Sequence, residues 1–131
     1  MLYGSSRTGR ARTAGGRSQL VYLVIAKDAR DREARERRQQ ARPEHLAALE
    51  PLVEAGTVRL AGAMLDDDDK PVGSLLLVEA DDVESVRELL RNDAYTRNRV
   101  WTSFEIHPFR QVFGPRAEER SRRGGATGET A

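Results

Sequence analysis

The sequence predicts an α+β protein of the ferredoxin-like type, with a four-stranded antiparallel sheet that carries two helices on one face. Short apolar runs rich in β-branched residues alternate with amphipathic stretches in the order strand, helix, strand, strand, helix, strand. This order is the split βαβ arrangement. The length of 131 residues suffices for one domain with a modest hydrophobic core and not for two.

The first strand is predicted at Leu20–Ala26, a continuous apolar run that is too short for an independent helix. The charged stretch Asp28–Ala41 follows, with arginine and glutamate interleaved. This stretch fits either a surface helix or a mobile loop that folds over a site as a lid.

The first helix is predicted to begin at Pro43, because the missing N–H of proline costs nothing in the first turn of a helix. Pro51 should kink this helix or tighten its last turn, and Gly56 supplies the stop. One face of the helix carries three apolar residues, namely Leu46, Leu49 and Val53.

The second and third strands are predicted at Thr57–Leu65 and Val72–Glu79, joined by the polar hairpin loop Asp66–Pro71. The four consecutive aspartates of that loop lack the alternating ligands, central glycine and distal glutamate of an EF-hand. We therefore interpret the loop as a solvated acidic turn.

The second helix is predicted to start at Asp81, which has the spacing of a capping box with Glu84. Its apolar stripe consists of Val83, Val86, Leu89 and Leu90. The last strand is predicted at Thr102–Ile106, and a further extended piece at Phe109–Phe113 follows Pro108.

The charge distribution separates two tails from one domain at residues 19–114. Residues 1–18 carry four arginines and no acid, and residues 115–131 are rich in Arg, Glu and Gly, so both tails are predicted to be disordered. The domain between them has 14 Lys and Arg against 18 Asp and Glu, a net charge of −4. This acidic domain is a poor match for nucleic acid.

Several classes of site find no support in the composition. The chain has no cysteine, which excludes disulfides and thiolate chemistry and fits a cytoplasmic protein. No apolar run reaches the roughly 20 residues that span a bilayer, so no membrane association is expected. No phosphate loop or dinucleotide motif is present, and two histidines without cysteine make a zinc site improbable. We therefore expect no cofactor and no metal.

The first and third strands predict a homodimer. Leu20–Ala26 and the Leu75–Val78 part of the third strand are apolar on both faces, although two short helices cover only one face of a sheet. The other face would be a large exposed apolar patch, so we expect a second subunit to pack sheet against sheet.

The chain from Leu20 to Phe113 resembles the YCII-related (YciI-like) family, small proteins of the dimeric α/β-barrel superfamily. Each motif that carries the resemblance is short, and their order and spacing together make the match specific. The motifs are Tyr22-Leu23-Val24, Arg42-Pro43-Glu44-His45-Leu46, Glu54-Ala55-Gly56, Ala61-Gly62-Ala63-Met64, Gly73-Ser74, Asn92-Asp93-Ala94-Tyr95 and Phe104-Glu105-Ile106-His107-Pro108-Phe109.

The resemblance implies a ferredoxin-like fold, a homodimer and a catalytic centre built on a histidine and an aspartate, which fall on His45 and Asp93. It also implies a reaction on small molecules, since the family members tied to a reaction resemble enzymes of aromatic-ring breakdown. The family usually has a proline where this chain has Ala94.

The residue types support the same pair independently. A carboxylate that accepts from one imidazole nitrogen fixes the tautomer and leaves the other nitrogen free to exchange a proton. At a helix start, the helix dipole would disfavour the charged form of His45, and Asp93 would oppose that effect. Arg42, Tyr95 and Ser74 are the candidate contacts to a small-molecule substrate. Trp101 fits a pocket wall or the core, and His107 fits an exposed edge position.

Two functions remain open from the sequence. The first is a small-molecule enzyme, such as a lyase, isomerase or dehalogenase-like catalyst, in which His45 moves a proton and Asp93 orients it. The second is a non-catalytic dimeric module that binds a ligand or a partner protein. In that case the His45–Asp93 pair is a remnant, and the Ala94 departure favours this interpretation. The structural alternative for the pair itself is that His45 is a polar helix-start residue and Asp93 a helix-end loop residue.

Overall fold

The computed structural model describes residues 20–115. Four strands form one antiparallel sheet in the order β2-β3-β1-β4. The elements in chain order are β1 (Val21–Asp28), α1 (Ala34–Glu54), β2 (Val58–Leu65), β3 (Pro71–Glu79), α2 (Val83–Arg91), α3 (Ala94–Arg97) and β4 (Trp101–Phe109). This topology confirms the predicted ferredoxin-like fold. The two predicted tails, apart from Pro115, lie outside the described residues, and no helix within residues 20–115 is long and apolar enough to cross a membrane.

Helix α1 is longer than the sequence predicted. It begins at Ala34, so the predicted start at Pro43 is wrong and Pro43 lies inside the helix. Most of the charged stretch Asp28–Ala41 is therefore helical, as one of its two interpretations proposed, and it forms no separate lid loop. The predicted stop at Gly56 is confirmed, since its N–H donates to the carbonyl of Val53 and its φ is +86°.

The buried stripe of α1 explains why the helix continues through a proline. The buried residues recur every three or four positions, which is the spacing of one helix face, and they are Ala34, Arg38, Ala41, His45 and Leu49. Packing of this whole stripe on the sheet outweighs the one backbone hydrogen bond lost at Pro43. The predicted apolar face is wrong at two of its three positions, because Leu46 and Val53 are exposed.

Helices α2 and α3 follow one another along the chain. The N-cap of α2 is Asp82, whose side chain accepts from the Ser85 N–H, so the predicted cap at Asp81 is one residue early. Residue Asn92 ends α2, and Asp93 then caps the short helix α3. Asp93 thus lies just beyond the second helix, as predicted.

Strand β4 extends beyond its predicted end. It includes Pro108, which pairs with Tyr22 of β1, and it ends at Phe109. Of the further extended piece predicted at Phe109–Phe113, only Phe109 belongs to a strand. Because β4 is an edge strand, it has a free side on which the missing N–H of a proline is harmless.

The sheet has one covered face and one open face. Helix residues Ala41, Leu49, Val86 and Leu90 pack against alternate residues of the central strands, which are Tyr22, Val24, Ala26, Leu76 and Val78. Both helices therefore lie on the same face. The apolar residues of the open face are Leu23, Ile25, Leu60, Met64, Leu75 and Leu77, of which Leu60 and Met64 are 49% and 38% exposed. Along the edge strand β4 the same face carries Ser103, Glu105 and His107.

The two central strands approach closely at Gly73. A Cβ atom at this position would lie 2.6 Å from the carbonyl oxygen of Ala26 on β1, a distance that carbon and oxygen atoms do not tolerate. The absence of a side chain at Gly73 therefore permits the β1–β3 register that places Ser74 opposite Ala26.

Candidate active site

A buried pair of titratable side chains joins α1 to the start of α3. The Nδ1 atom of His45 lies 2.8 Å from the Oδ1 atom of Asp93, and each residue is only 7% exposed. A carboxylate oxygen accepts, which assigns the hydrogen to Nδ1 and leaves Nε2 as the unprotonated nitrogen of the neutral ring. Among residues 20–115, Nε2 has no hydrogen-bond partner.

Backbone geometry fixes the Asp93 carboxylate. Its Oδ1 atom also accepts from the N–H of Tyr95 at 2.8 Å, which makes Asp93 the N-cap of α3. Ala94 is 1% exposed and packed in place. The carboxylate is thus held by a hydrogen bond to the backbone, without the proline that is usual after this aspartate in the family that the sequence resembles.

The position of His45 differs from the one that the sequence predicted. It is the twelfth residue of the 21-residue helix α1, so the expected effect of a helix N-terminus on its charge does not apply. His45 instead faces the sheet within the buried stripe of α1. The neighbours of its imidazole are aromatic rings and the carboxylate of Asp93.

Two aromatic side chains frame the imidazole. The ring of Tyr95 stacks on His45 with centroids 3.8 Å apart and planes 10° apart. The ring of Trp101 meets His45 edge to face, with centroids 5.4 Å apart. Burial raises the pKa of Tyr95, while the charges of Arg38 and Arg42 act in the opposite direction. The Tyr95 hydroxyl is therefore protonated at neutral pH.

A buried arginine lies on the other side of the tyrosine. The guanidinium carbon of Arg38 is 4.8 Å from the centroid of the Tyr95 ring. Its Nη1 atom donates to both carboxylate oxygens of Asp28, at 2.8 and 2.6 Å. Its Nη2 atom donates to the hydroxyl oxygen of Ser74 at 3.0 Å, and Trp101 Nε1 donates to the same oxygen at 3.1 Å. These contacts connect Asp28 to the His45–Asp93 pair through one continuous set of side chains.

The floor of the site is built from small residues. Ala26 and Ala63 flank Ser74 on the neighbouring strands, and Ala61 pairs with Leu76, so all of them lie on the helix-facing side of the sheet. Ala61 and Ala63 are nevertheless exposed. The space above β2, beside Ser74, is therefore open rather than filled by the described helices.

Comparison with known proteins identifies the family. The YCII-related domain matches residues 20–110 of this chain. The chain belongs to the YCII-related family. Its curated relatives include Protein YciI of Escherichia coli O6:H1 and of Shigella flexneri, each 30% identical over 100 residues that cover 72% of this chain and 100% of the relative.

A third relative of this YCII-related chain comes from a fungus. The derivative of benzaldehyde biosynthesis cluster protein C of Emericella nidulans is 34% identical over 84 residues, which cover 59% of this chain and 86% of that protein. Among solved structures, the chain resembles the 5-chloro-2-hydroxyhydroquinone dehydrochlorinase of Burkholderia phenoliruptrix with a TM-score of 0.56 and 24% identity. That alignment covers 76% of this chain and 98% of the dehydrochlorinase, and it supports the fold.

Of the residues that the sequence predicted for the site, this YCII-related chain brings together His45, Asp93, Tyr95 and Ser74. Arg42 is exposed and makes no ion pair or hydrogen bond within residues 20–115, although its charge acts on Tyr95. Trp101 was predicted to line a pocket or to lie in the core. It lies in the core, where it is 2% exposed, and it also contacts His45.

Sequence reasoning missed Arg38 and Asp28. Both lie in or beside the charged stretch after the first strand, where arginine and glutamate alternate without an apolar pattern. The available signal was the spacing of Arg38 and His45, which are seven residues apart and so share one helix face. That signal requires an α1 that begins before Pro43.

The remaining candidate groups lie apart from the site. The side chain of His107 is 55% exposed and bonds to Glu105, as its edge position predicted. The loop Asp66–Lys70 is an exposed acidic turn in which Asp66 accepts from the N–H groups of Asp68 and Lys70. A cleft of about 290 Å³ beside the start of α2 contains none of the site residues. Within residues 20–115 no three His, Asp or Glu side chains form a potential metal site.

Proposed function

We propose that this protein is a small-molecule enzyme in which His45 transfers a proton and Asp93 orients and stabilises the imidazole. The observation that carries the proposal is the 2.8 Å contact between His45 Nδ1 and Asp93 Oδ1 in a buried, aromatic-lined site. A general base needs a free nitrogen and a fixed tautomer, and this contact provides both.

The proposed reaction needs no redox partner. Nε2 of His45 takes a proton from a carbon or oxygen atom of the substrate, and Asp93 stabilises the imidazolium that forms. If the electron pair then expels a halide, the products are the eliminated acid and an unsaturated molecule. If His45 returns the proton to another atom of the substrate, the reaction is an isomerisation. Both reactions use the same base.

Two relatives support an oxygenated aromatic substrate. The structural neighbour is named as a dehydrochlorinase and was solved in complex with 2,5-dihydroxybenzoquinone, and the fungal relative is named for a benzaldehyde biosynthesis cluster. Such a ring would find stacking partners in Tyr95 and Trp101. Tyr95, Ser74 and the exposed Arg42 are the proposed substrate contacts, with Arg42 at the entrance.

We also propose that the active form is a homodimer. The open face of the sheet carries an apolar surface across β2, β3 and β1, of which Leu75 and Leu77 form the centre. Exposed apolar surfaces of this kind mark protein interfaces, and a second copy of the chain offers the same surface in two-fold symmetry.

The deciding experiment replaces each of the two histidines in turn. We expect His45→Ala to lower turnover of a chlorinated hydroquinone by about 10²- to 10⁴-fold, measured as chloride release. His107→Ala is the matched control, because this exposed histidine bonds to Glu105 and lies outside the site. Its turnover should equal that of the wild type when both are assayed at a concentration where they have the same sedimentation mass, since His107 lies on the open face opposite Leu23.

Each outcome of this experiment has a distinct meaning. Equal turnover by wild type and His45→Ala would refute the role of His45. A wild-type protein that binds 2,5-dihydroxybenzoquinone by calorimetry, yet releases no chloride and exchanges no substrate hydrogen with deuterated water, would instead be the non-catalytic ligand-binding module.

A further inference from the structure

The Ser74 hydroxyl receives two hydrogen bonds from groups that can only donate. Arg38 Nη2 lies 3.0 Å from its oxygen, and Trp101 Nε1 lies 3.1 Å from it. A guanidinium and an indole N–H have no acceptor atoms, so each of these contacts uses a lone pair of the hydroxyl oxygen. A hydroxyl has two lone pairs and one hydrogen. The only hydrogen-bonding capacity left to Ser74 is therefore the donation of its hydrogen.

Other contacts hold both donors in place. Nη1 of Arg38 donates to both carboxylate oxygens of Asp28, and Nη2 also donates to the carbonyl of Gly73 at 3.4 Å. Trp101 is held by ring contacts to His45, Tyr95 and Phe104, with centroids 5.4 to 5.8 Å away. The orientation of the Ser74 hydroxyl is consequently fixed by its surroundings.

The hydrogen of Ser74 has no acceptor within residues 20–115. Ser74 is 5% exposed. A buried donor without an acceptor is unfavourable, because it has lost its hydration and gained no hydrogen bond in return. An acceptor must therefore come from outside the described residues, and the open space beside Ala63 is where it can enter.

We propose that Ser74 binds a carbonyl or oxyanion oxygen of the ligand by donating its hydroxyl hydrogen, with Arg38 and Trp101 as the positioning residues that keep it donor-only. This inference rests on the proposed function and defines its substrate class. Two donors on one oxygen polarise the O–H bond, so Ser74 donates more strongly than an isolated serine. The same arrangement removes Ser74 as a nucleophile, since its lone pairs are occupied.

The position of Ser74 restricts the shape of the ligand. Trp101 contacts both Ser74 and His45, so one side chain separates the proposed donor from the proposed base. A ligand that reaches both groups is a small planar molecule with an acceptor oxygen at one end and a labile hydrogen at the other. Quinones, phenolates and enolates have this form, and a donor at their oxygen stabilises the negative charge that develops when the base removes the proton.

The test measures binding and not turnover, so that its failure is distinct from failure of the His45 proposal. We would titrate the full chain with 2,5-dihydroxybenzoquinone by calorimetry. Ser74→Ala should weaken its binding by about ten- to a hundredfold, which is the loss expected for a hydrogen bond to a charged acceptor. Ser103→Ala, an exposed serine of β4, is the matched control and should bind as the wild type does.

Two further measurements separate donation from a structural role. Ser74→Thr retains the hydroxyl and should restore most of the affinity. 1,2,4,5-Tetrafluorobenzene has a similar ring without an acceptor oxygen, so its binding, followed by fluorine NMR, should be unchanged in Ser74→Ala. Equal loss of both ligands, an unchanged quinone affinity in Ser74→Ala, or no quinone binding by the wild type would each overturn the proposal. The unchanged affinity would mean that water is the acceptor of the Ser74 hydrogen.

Discussion

At the scale of single residues, Asp93 has two roles that share one oxygen atom. Its Oδ1 caps α3 through the Tyr95 N–H and also accepts from His45 Nδ1. The cap places the ring of Tyr95 against His45, so the same carboxylate positions both partners of the stacked pair. In the proposed mechanism the negative charge of Asp93 stabilises the imidazolium, whereas its accepting oxygen also stabilises the fold as the N-cap of α3.

This division predicts different results for two substitutions of Asp93. In Asp93→Asn the amide oxygen still accepts from Tyr95, so the free energy of unfolding should change by less than about 1 kcal/mol while turnover falls about a hundredfold or more. Asp93→Ala removes the cap as well and should also destabilise the fold by about 1–2 kcal/mol. Urea denaturation and initial rates on both variants check this. Equal turnover by Asp93→Asn and wild type would contradict a role for the charge.

The sequence was informative about His45 and Asp93 and silent about Arg38. The pair falls on motifs whose order along the chain is specific, so residues 48 positions apart could be assigned to one site. Arg38 contributes through burial, and burial of an arginine cannot be inferred from a stretch in which charged residues occupy every face. Only the position of α1 on the sheet distinguishes Arg38 from its exposed neighbours.

At the scale of elements, the N-terminal half of α1 is attached to the rest of the fold by arginines. Arg38 forms an ion pair with Asp28 at the end of β1, and the side chains of both residues are less than 10% exposed. Arg37 bonds to Asp31 and to the carbonyl oxygens of Asn98 and Arg99, just beyond α3. These contacts secure a helix whose own sequence contains two prolines.

Removal of one member of the buried pair should be costly. We expect Arg38→Met to destabilise the fold by about 3–5 kcal/mol, because the carboxylate of Asp28 remains buried without its partner. The double variant Asp28→Asn with Arg38→Met should recover part of this loss, since no unpaired charge remains. Chemical denaturation of the single and double variants measures the difference. A double variant that is less stable than Arg38→Met would contradict the explanation.

The exposed pair of Arg37 and Asp31 predicts an acid-sensitive contribution to stability. The hydrogen bond from Arg37 lowers the pKa of Asp31 from 3.8 to about 2. Since the folded pKa is the lower one, the stabilisation is complete above about pH 4 and is lost as the pH falls towards 2. Asp31→Asn should therefore be less stable than wild type at pH 6, and the two should converge near pH 2.

Urea midpoints at pH 6 and about pH 2 check this convergence. Asp67→Asn, in the exposed hairpin loop, is the matched control and should differ little from wild type at either pH. A difference between Asp31→Asn and wild type that persists unchanged at low pH would show that the ion pair is not its cause.

At the scale of the whole molecule, the two faces of the sheet carry different features. The helix-facing side holds the core and the His45–Asp93 pair, and the other side carries the apolar surface centred on Leu75 and Leu77. A change on the open face should thus affect association before it affects the site.

We expect the full chain to sediment at micromolar concentration with twice its mass of 14.6 kDa. Leu77→Lys places a charge in the proposed interface and should shift the mass to that of the monomer without unfolding the chain. Leu46→Lys, at an exposed leucine of α1, is the matched control and should leave the mass of the dimer unchanged. A wild-type monomer at this concentration would refute the homodimer.

The element order was the most reliable information in the sequence, because apolar periodicity reports which residues are buried, and burial decides pairing in a small sheet. The boundaries were less reliable. Pro43 and Pro108 each look like an interruption, yet one lies within a helix held by tertiary packing and the other in an edge strand. In both places long-range contacts overrode the local preference of proline.

The close approach at Gly73 has a consequence for how this protein tolerates change. Any side chain there would push the carbonyl of Ala26 away and separate β1 from β3. This shift would displace both Ser74 and the Gly73 carbonyl that accepts from Arg38. A mutational scan that scores only stability and one that scores only ligand binding should therefore agree at position 73. The geometry of the site therefore depends on the absence of a Cβ atom at Gly73.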